Sequence, residues 1–247
     1  MIGILGFGRF GRLMARYLAA DFPVSVCDSG KNADRIAAAG AQPATLEEAA
    51  GQKILILSVP ISAFVAALDR VRPHLRPGAL VVDVCSVKVL PDRWLSEHLP
   101  GNVGYLPTHP MFGPDSAADS LQGRKIVLCP GRVEAERYES IRSYLEKKGL
   151  VVIETTAKAH DREIGVTLAL THFIGRSLSR FGAVPLSIDT EGYKRLLHIL
   201  GVVENDTWQL FADMNRYNPF ADEIREKFKA AMGEVEEKLS NPDETGA

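Results

Sequence analysis

The side chains best suited to acid–base chemistry fall in two short segments of the chain. Residues 83–88 (DVCSVK) supply the hydroxyl of Ser86 and the ammonium group of Lys88, and residues 108–114 (THPMFGP) supply the imidazole of His109. An imidazole with a pKa of about 6.5 accepts a proton at neutral pH, which serine or threonine alone does too weakly. His109 is therefore the candidate acid–base group of these segments. Ser86 and Lys88 are the other candidates, Lys88 as a substrate-binding residue. The alternatives are that Ser86 caps the following turn and that Lys88 is a solvated loop charge or a structural ion pair.

Both segments follow strand-like apolar runs, which predicts where their side chains lie. Through the first 155 residues, short β-rich runs alternate with helical patterns, and this alternation predicts βαβ units and a mostly parallel sheet. Ligands of doubly wound sheets bind beyond the carboxyl ends of the strands, so we expect Ser86, Lys88 and His109 on loops at that edge. The predicted strands are residues 1–5, 24–27, 54–57, 80–85, 104–106, 126–128 and 151–154. The predicted helices of this part are residues 9–20, 32–39, 62–71 and 134–147.

A glycine-rich turn between the first predicted strand and helix indicates a dinucleotide site. Gly6 permits a tight turn, Gly8 lets the backbone approach a pyrophosphate, and Gly11 allows close helix packing. The N-terminus of the helix attracts the negative charge. The alternative is that the glycines only form a turn. The predicted cofactor-binding segment comprises Gly6, Phe7, Gly8, Arg9, Phe10 and Gly11.

Two further polar residues at this edge of the sheet are candidates for cofactor binding. Asp28 ends the second predicted strand, where a carboxylate accepts hydrogen bonds from both ribose hydroxyls and would repel a 2′-phosphate. That favours NAD over NADP, although Ser29 and Lys31 beside it suit a phosphate; Asp28 as a loop cap is the other interpretation. Ser58 ends the third of these strands and either contacts the nicotinamide ribose or caps the next helix.

From Lys158 onward the strand signal ends and helical spacing takes over. We expect residues 1–155 to form a Rossmann-type, doubly wound, mostly parallel α/β domain, and residues 156–247 to form an all-α substrate and dimerisation domain. About 90 residues are few for an independent core, so pairing with a second copy predicts a homodimer through the helical part. The polar tail after Ser240 is expected to fray.

In the same order, four segments resemble the prephenate/arogenate dehydrogenase (TyrA) family over nearly the whole chain. They are DVCSVK, THPMFGPDS, HDREIGVTLALTHFIGRSL and WQLFADMNRYNPFADEI. The THFIGR segment, with the later GYKRLL, is closest to the arogenate-type branch. The resemblance implies that His109 takes or polarises the proton of the substrate's ring hydroxyl, that Ser86 hydrogen-bonds this hydroxyl, and that His172 helps to shape the substrate pocket.

The chemistry of that family explains the need for such residues. A cyclohexadienol with hydrogen and hydroxyl at C4 and a carboxylate at C1 passes hydride to NAD and loses carbon dioxide, because the product becomes aromatic. The protein has to hold C4 against the nicotinamide and relieve the charge that develops at the hydroxyl. Unlike His172, His160 is not expected to contact the substrate. We interpret His160 and Asp161 as a helix cap and dipole partner, not as catalysts.

Several basic residues of the helical part are candidates for binding a substrate carboxylate. Arg176 lies four residues after His172, on the same helix face, and binds a carboxylate or forms a structural ion pair. Val202 stands where other branches of the family carry a carboxylate-binding arginine, which leaves Arg195, Lys194 or Arg176 for that role.

The residue after the GYKRLL segment points to one of the two substrates. The arogenate branch has an acidic residue at this position, and here it is His198, which offers an ammonium group no attraction. The expectation is therefore an NAD-dependent prephenate dehydrogenase, with an arogenate or dual-specificity cyclohexadienyl dehydrogenase as the alternative. The sequence indicates no added regulatory domain, so any feedback by tyrosine is expected at the active site.

Composition and motifs weigh against other classes of protein. A net charge of −2 gives no basic field for nucleic acid, and no apolar run is long enough to span a membrane. The three cysteines are isolated, so we expect no metal site, and the chain start predicts a cytoplasmic protein. A β-hydroxyacid dehydrogenase or imine reductase is disfavoured because the long second-domain helix lacks an internal lysine. A non-catalytic NAD-binding dimeric sensor remains the rival from another class.

Overall fold

The computed structural model describes residues 1–240 and divides the chain into two compact units. Unit 1 comprises residues 1–160 and unit 2 begins at Asp161. The predicted boundary after residue 155 lies just before the helix in which the observed division falls. The expected fraying after Ser240 concerns residues that lie outside the described part.

Unit 1 is built on an eight-stranded sheet, which confirms the predicted doubly wound, mostly parallel α/β architecture. The strand order is β3-β2-β1-β4-β5-β6-β7-β8, and only the β6–β7 pair is antiparallel. The strands are β1 (Ile2–Leu5), β2 (Val24–Cys27), β3 (Gln42–Pro43), β4 (Ile54–Leu57), β5 (Leu80–Asp83), β6 (Gly104–Pro110), β7 (Lys125–Leu128) and β8 (Val151–Glu154).

The helices of unit 1 connect these strands on both faces of the sheet. They are α1 (Arg9–Ala19), α2 (Ala33–Ala38), α3 (Leu46–Ala50), α4 (Phe64–Val71), α5 (Val89–His98) and α6 (Ala135–Lys147), with short 3-10 turns at Ile61–Ala63 and Arg72–His74. The sequence prediction misses β3, α3 and α5. A proline in the first turn of α5, Pro91, hides this helix from the pattern, although the first turn needs no N–H from that residue.

Strand β6 is longer than the sequence predicts, and the difference concerns the candidate base. The apolar pattern ends the strand at residue 106, whereas the observed strand continues to Pro110. The extension exists because β7 pairs with it antiparallel, placing Thr108 opposite Leu128 and His109 opposite Val127. His109 therefore lies inside a strand, and its predicted position on a loop is wrong.

Unit 2 is helical among the described residues, as predicted. Helix α7 (Ala157–Ile164) leads through a π-helical segment, Gly165–Leu170, into α8 (Thr171–Phe181). The remaining helices are α9 (Glu191–Glu204), α10 (Trp208–Arg216) and α11 (Ala221–Ser240). None of the helices in residues 1–240 has the length and apolarity needed to cross a membrane.

Candidate active site

The turn from β1 to α1 leaves different amounts of space around its three glycines, Gly6, Gly8 and Gly11. Gly6 has a φ of 101°, and a Cβ there would lie 2.2 Å from the carbonyl oxygen of Ser58. A Cβ on Gly11 would lie 2.2 Å from the carbonyl oxygen of Gly6. At Gly8 an added Cβ meets nothing within 4 Å. The fold itself thus requires the first and third glycines, whereas Gly8 leaves open space at the N-terminus of α1.

Asp28 at the end of β2 is tied to the same turn. Its Oδ1 accepts from the Phe7 N–H at 2.8 Å, and its Oδ2 accepts from the Gly30 N–H and the Asn32 side-chain amide at 2.8 and 2.7 Å. Partial burial opposes ionisation, but the hydrogen bonds outweigh it and lower the pKa of Asp28. The carboxylate is therefore charged at neutral pH and retains lone pairs for ribose hydroxyls.

The other predicted cofactor residues differ in their surroundings. Phe7 is buried, while Arg9 is half exposed and pairs with Asp115 at 2.6 Å. The ring of Phe10 packs toward Phe112, 6.1 Å between centroids, so this side chain serves packing. Ser58 borders the glycine turn, with its Oγ 3.3 Å from a Cβ built on Gly11.

The structure does not support the capping alternative for Ser58. The 3-10 turn that follows β4 begins after Pro60, and no side chain caps it. Ser58 instead donates its backbone N–H to the Leu5 carbonyl at 2.8 Å, which holds it against the glycine turn. Its contact with a nicotinamide ribose stays a prediction.

His109 is paired with a second histidine. Its Nδ1 lies 2.9 Å from Nε2 of His160, the rings meet edge to face, and both side chains are buried, at 6% and 3% exposure. Burial, followed by the nearby His160 and Lys88, places the pKa of His109 well below its usual value. His109 is therefore neutral at physiological pH, and its Nδ1 is held in the contact with His160.

His160 is the site residue that the sequence reading missed. The prediction that His160 caps the helix is wrong, because Thr156 caps α7. The Oγ1 of Thr156 accepts a hydrogen bond from the Ala159 N–H at 3.2 Å. His160 instead lies within α7, 51 positions from the residue it contacts. No spacing rule connects two residues that far apart, so no local signal identifies the pair.

Lys88 forms a buried ion pair with Asp83 rather than projecting from a loop. Both side chains have no exposure, and the ammonium group also donates to the carbonyl oxygen of Thr108. The Asp83 carboxylate accepts from the Cys85 N–H at 2.8 Å as well, while burial raises the pKa of Asp83 against the opposing effect of Lys88. This geometry favours the structural ion pair over the predicted substrate-binding role of Lys88.

Ser86 lies beyond the end of β5, on the loop where the sequence places it. Its Oγ is buried and has no hydrogen-bond partner within residues 1–240. A buried hydroxyl without a partner carries a desolvation cost, which a hydrogen bond to a ligand would relieve. The orphaned Oγ is the observation that fits a ligand-binding role.

In unit 2, His172 and Arg176 share one face of α8. His172 is 4% exposed, its Nε2 lies 3.7 Å from Oδ2 of Asp206, and its Nδ1 has no partner in the described chain. Burial lowers the pKa of His172, Asp206 opposes this and Arg176 adds to it. Arg176 donates to the Asp206 carbonyl and lies 6.0 Å from the rings of Trp208 and Phe211, while its Nε is unpaired in residues 1–240.

The remaining substrate candidates lie on α9 and are exposed. Arg195 and His198 are one turn apart, and Arg195 forms no ion pair with any residue up to 240. Lys194 pairs with Glu191 at 2.8 Å. Val202 is 53% exposed on the same helix. The structure therefore leaves Arg195 and His198 accessible to a ligand.

Across residues 1–240, no group of three histidine, cysteine or acidic side chains stands together as metal ligands would. Within these residues, Cys27, Cys85 and Cys129 form no disulfide bond.

Two family models and several relatives match the sequence of this chain. The sequence model of the prephenate dehydrogenase nucleotide-binding domain matches residues 24–154, and that of a TYRAAT1-like C-terminal domain matches residues 177–246. The chain is 31% identical to a probable arogenate/prephenate dehydrogenase of Methanocaldococcus jannaschii over 98% of its length and 57% of that protein's. It is 30% identical to chloroplastic arogenate dehydrogenase 2 of Arabidopsis thaliana, over 96% of its own length and 69% of the relative's.

The fold agrees with a solved structure of the same group. Prephenate dehydrogenase from A. aeolicus superposes with a TM-score of 0.78 at 19% identity, covering 99% of this chain and 93% of the other. At that identity the likeness shows the fold alone. The match to the nucleotide-binding domain covers more than half of the sequence, and with the Methanocaldococcus relative it establishes that the chain belongs to the prephenate/arogenate dehydrogenase family.

Proposed function

We propose that the protein is an NAD-dependent prephenate dehydrogenase that converts prephenate to 4-hydroxyphenylpyruvate by oxidative decarboxylation. The observation that carries the proposal is the buried His109–His160 pair, which supplies a neutral imidazole with a fixed ring orientation. A base that takes the proton of a ring hydroxyl needs both properties. The orphaned Oγ of Ser86 supplies a second group for the same hydroxyl.

The glycine turn and Asp28 fit a bound NAD molecule. The open space at Gly8 and the N-terminus of α1 would receive the pyrophosphate, and Asp28 would accept hydrogen bonds from the ribose. When bound, NAD supplies the two-electron acceptor of the reaction. The charged Asp28 carboxylate disfavours the 2′-phosphate of NADP. The A. aeolicus structure, in complex with hydroxyphenyl propionate and NAD+, supports this assignment.

The His109 imidazole works as the base through one defined nitrogen. Its Nδ1 carries a proton and donates to His160 Nε2, so Nε2 presents its lone pair to the substrate hydroxyl. When C4 gives up its hydride, for which NAD would be the acceptor, the hydroxyl passes its proton to Nε2. The bond from C1 to the carboxylate then breaks, its electron pair completes the aromatic ring, carbon dioxide leaves, and Nε2 returns the proton to the phenolate oxygen. The low pKa of His109 keeps the base unprotonated before the reaction. Ser86 would orient the hydroxyl by one hydrogen bond.

Prephenate is preferred over arogenate because of the charges available for the side chain. Arg195 and His198 lie one turn apart on α9, both exposed, and neither attracts an ammonium group. His172 and Arg176 would contribute to the substrate pocket with their unpaired nitrogens. Arogenate remains the second candidate, favoured by the similarity to the Arabidopsis arogenate dehydrogenase. Exposed apolar side chains of unit 2 support the expected homodimer.

The test is an absorbance assay of reduced cofactor with NAD or NADP and with prephenate or arogenate. We expect the highest kcat/KM with NAD and prephenate. His109→Asn should retain NAD affinity and lose about 100-fold or more in turnover, as expected for loss of a general base. No turnover with any of the four combinations, despite NAD binding, would favour the non-catalytic sensor. An unchanged rate in the variant would remove His109 from the mechanism.

A further inference from the structure

Unit 1 contains a large apolar cavity that the proposed catalytic residues do not use. It has a volume of about 760 Å³ and lies between α1 and α6, over the sheet face formed by β4, β5 and β6. Its floor includes Ile54, Val82 and Leu106, and its walls include Leu13 and Ile141. Val82 lies in a central strand and is nevertheless only partly buried. A central strand with accessible apolar side chains indicates that no element of unit 1 covers this face.

The charged groups that line the cavity are all basic. They are Lys53, Arg76, Arg137 and Lys148, and no aspartate or glutamate among residues 1–240 lines the cavity. Arg137 donates to the carbonyl oxygens of Lys53 and Gly78, at 2.6 and 2.8 Å, and Lys148 pairs with Asp21. Lys53 and Arg76 are exposed and form no ion pair within residues 1–240.

These basic groups gather at one edge of the sheet. Lys53 immediately precedes Ile54 in β4, and Arg76 shortly precedes Leu80, the paired neighbour of Ile54 in β5. Ile54 also pairs with Ile2 of β1, which follows Met1. This is the edge at the amino ends of the strands. The glycine turn and Ser86 lie at the carboxyl ends, so the basic mouth of the cavity faces away from the proposed cofactor site.

We propose that this cavity binds a medium-chain acyl carboxylate, with its hydrocarbon chain along the sheet face and its carboxylate at Lys53 and Arg76. An apolar interior with a mouth of one charge sign complements an amphipathic anion in both parts. A four-residue strand spans about 13 Å, which is close to the length of an extended ten-carbon chain. The cavity volume accommodates such a chain.

A ligand in this cavity would contact the strands that hold the active-site residues from behind. Val82, Val84, Thr108 and Pro110 line it, and these positions alternate with Asp83 and His109 along β5 and β6. Side chains alternate between the two faces of a sheet, so the ligand would pack on the opposite face from Asp83 and His109. The cavity reaches Phe10 beside the glycine turn, but neither His109 nor Ser86 lines it, and the proposed ligand site does not rest on the proposed function.

The test is calorimetric titration of the full-length protein with decanoate below its micelle-forming concentration, and with 1-decanol as an uncharged probe. We expect decanoate to bind more tightly than decanol. Arg76→Gln should weaken decanoate binding about fivefold or more and leave decanol binding unchanged, because it removes one charge from the mouth. The matched control is Arg93→Gln, which removes an exposed charge of α5 that does not line the cavity.

A second pair of variants fills the space instead of changing the charge. Val82→Phe should abolish binding of both probes. Because this change in a central strand can impair folding, Ser140→Phe serves as well, since Ser140 is an exposed residue of α6 that lines the cavity. Absence of decanoate binding, binding unaffected by Ser140→Phe, or equal effects of Arg76→Gln and Arg93→Gln would each overturn the proposal. Self-association that Ser140→Phe abolishes, without decanoate binding, would assign this face to a second copy and overturn it too.

Discussion

At the scale of single residues, the pairing of His109 with His160 governs the proposed base. Burial acts first on the pKa of His109, and the neighbouring His160 and Lys88 lower it further. A base with a lowered pKa stays neutral until the pH falls below that value. The acidic limb of the kcat/KM profile should therefore lie below pH 6.5, the ordinary histidine value.

Replacing His160 separates a positioning role from a purely structural one. His160→Ala removes the acceptor for Nδ1 of His109 and one contribution that lowers its pKa, so the acidic limb of kcat/KM should move to higher pH. We expect kcat to fall about tenfold, less than for loss of the base itself, with little change in KM. His160→Gln keeps an acceptor oxygen and should recover part of the rate. A uniform loss of activity without movement of the pH profile would contradict the positioning role.

The buried Asp83–Lys88 pair is a stability element beneath the same site. Lys88→Met leaves the Asp83 carboxylate buried without its partner, and breaking such a pair typically costs about 3–5 kcal/mol. Urea denaturation followed by circular dichroism measures this loss. The double variant Asp83→Asn with Lys88→Met removes both charges and should recover part of the stability. Equal stability of Lys88→Met and the wild type would show that the pair is not held as described.

At the scale of elements, the turn from β1 to α1 divides structural from ligand-related glycines. Gly8→Ala should leave the melting temperature within about 2 °C of the wild type, because its Cβ meets nothing in the protein. NAD affinity, measured by fluorescence titration, should fall at least tenfold. Gly11→Ala is the matched comparison and should lower stability itself, because its Cβ would meet the Gly6 carbonyl at 2.2 Å. Unchanged NAD affinity in Gly8→Ala would place the pyrophosphate elsewhere.

The long helical stretch of residues 157–181 carries another feature at this scale. Its middle, Gly165–Leu170, is π-helical. A π-helical segment changes the direction in which the side chains that follow it point around the helix axis. Gly165 is part of this segment, and a Cβ there would lie 2.4 Å from the Ile224 side chain of α11. Close packing of α11 against the π segment accounts for the small residue at this position.

At the scale of the whole molecule, unit 2 exposes several large apolar side chains. Phe181 is 82% exposed and Ile188 is 90% exposed, and between them Val184 and Leu186 are also exposed. Burial of such a patch against a second copy would stabilise a dimer. Sedimentation velocity should show a homodimer, and Ile188→Ser should weaken it by at least tenfold in dissociation constant. The neighbouring Ser187→Ala change should leave it intact; a monomeric wild type would contradict the prediction.

Much of the fold followed from the sequence because its signals are local. The glycine turn, the position of Asp28 and the alternation of strands with helices each depend on residues within one βαβ unit. Likewise, Ser86 directly follows a strand-like run, so its position beyond β5 could be inferred. The residue types and the family resemblance both pointed to His109, but the apolar pattern ended β6 at residue 106 and so placed His109 on a loop.

Only the tertiary structure decided how the candidate site is assembled. His160 contacts His109 across 51 positions, β7 extends β6 through His109 by antiparallel pairing, and Lys88 turns inward to Asp83. The cavity between α1 and α6 also has no counterpart in any single segment of sequence. Sequence patterns report which face of an element is apolar, whereas contacts between distant elements depend on how those faces pack, and that packing sets the burial and the charges around each site residue.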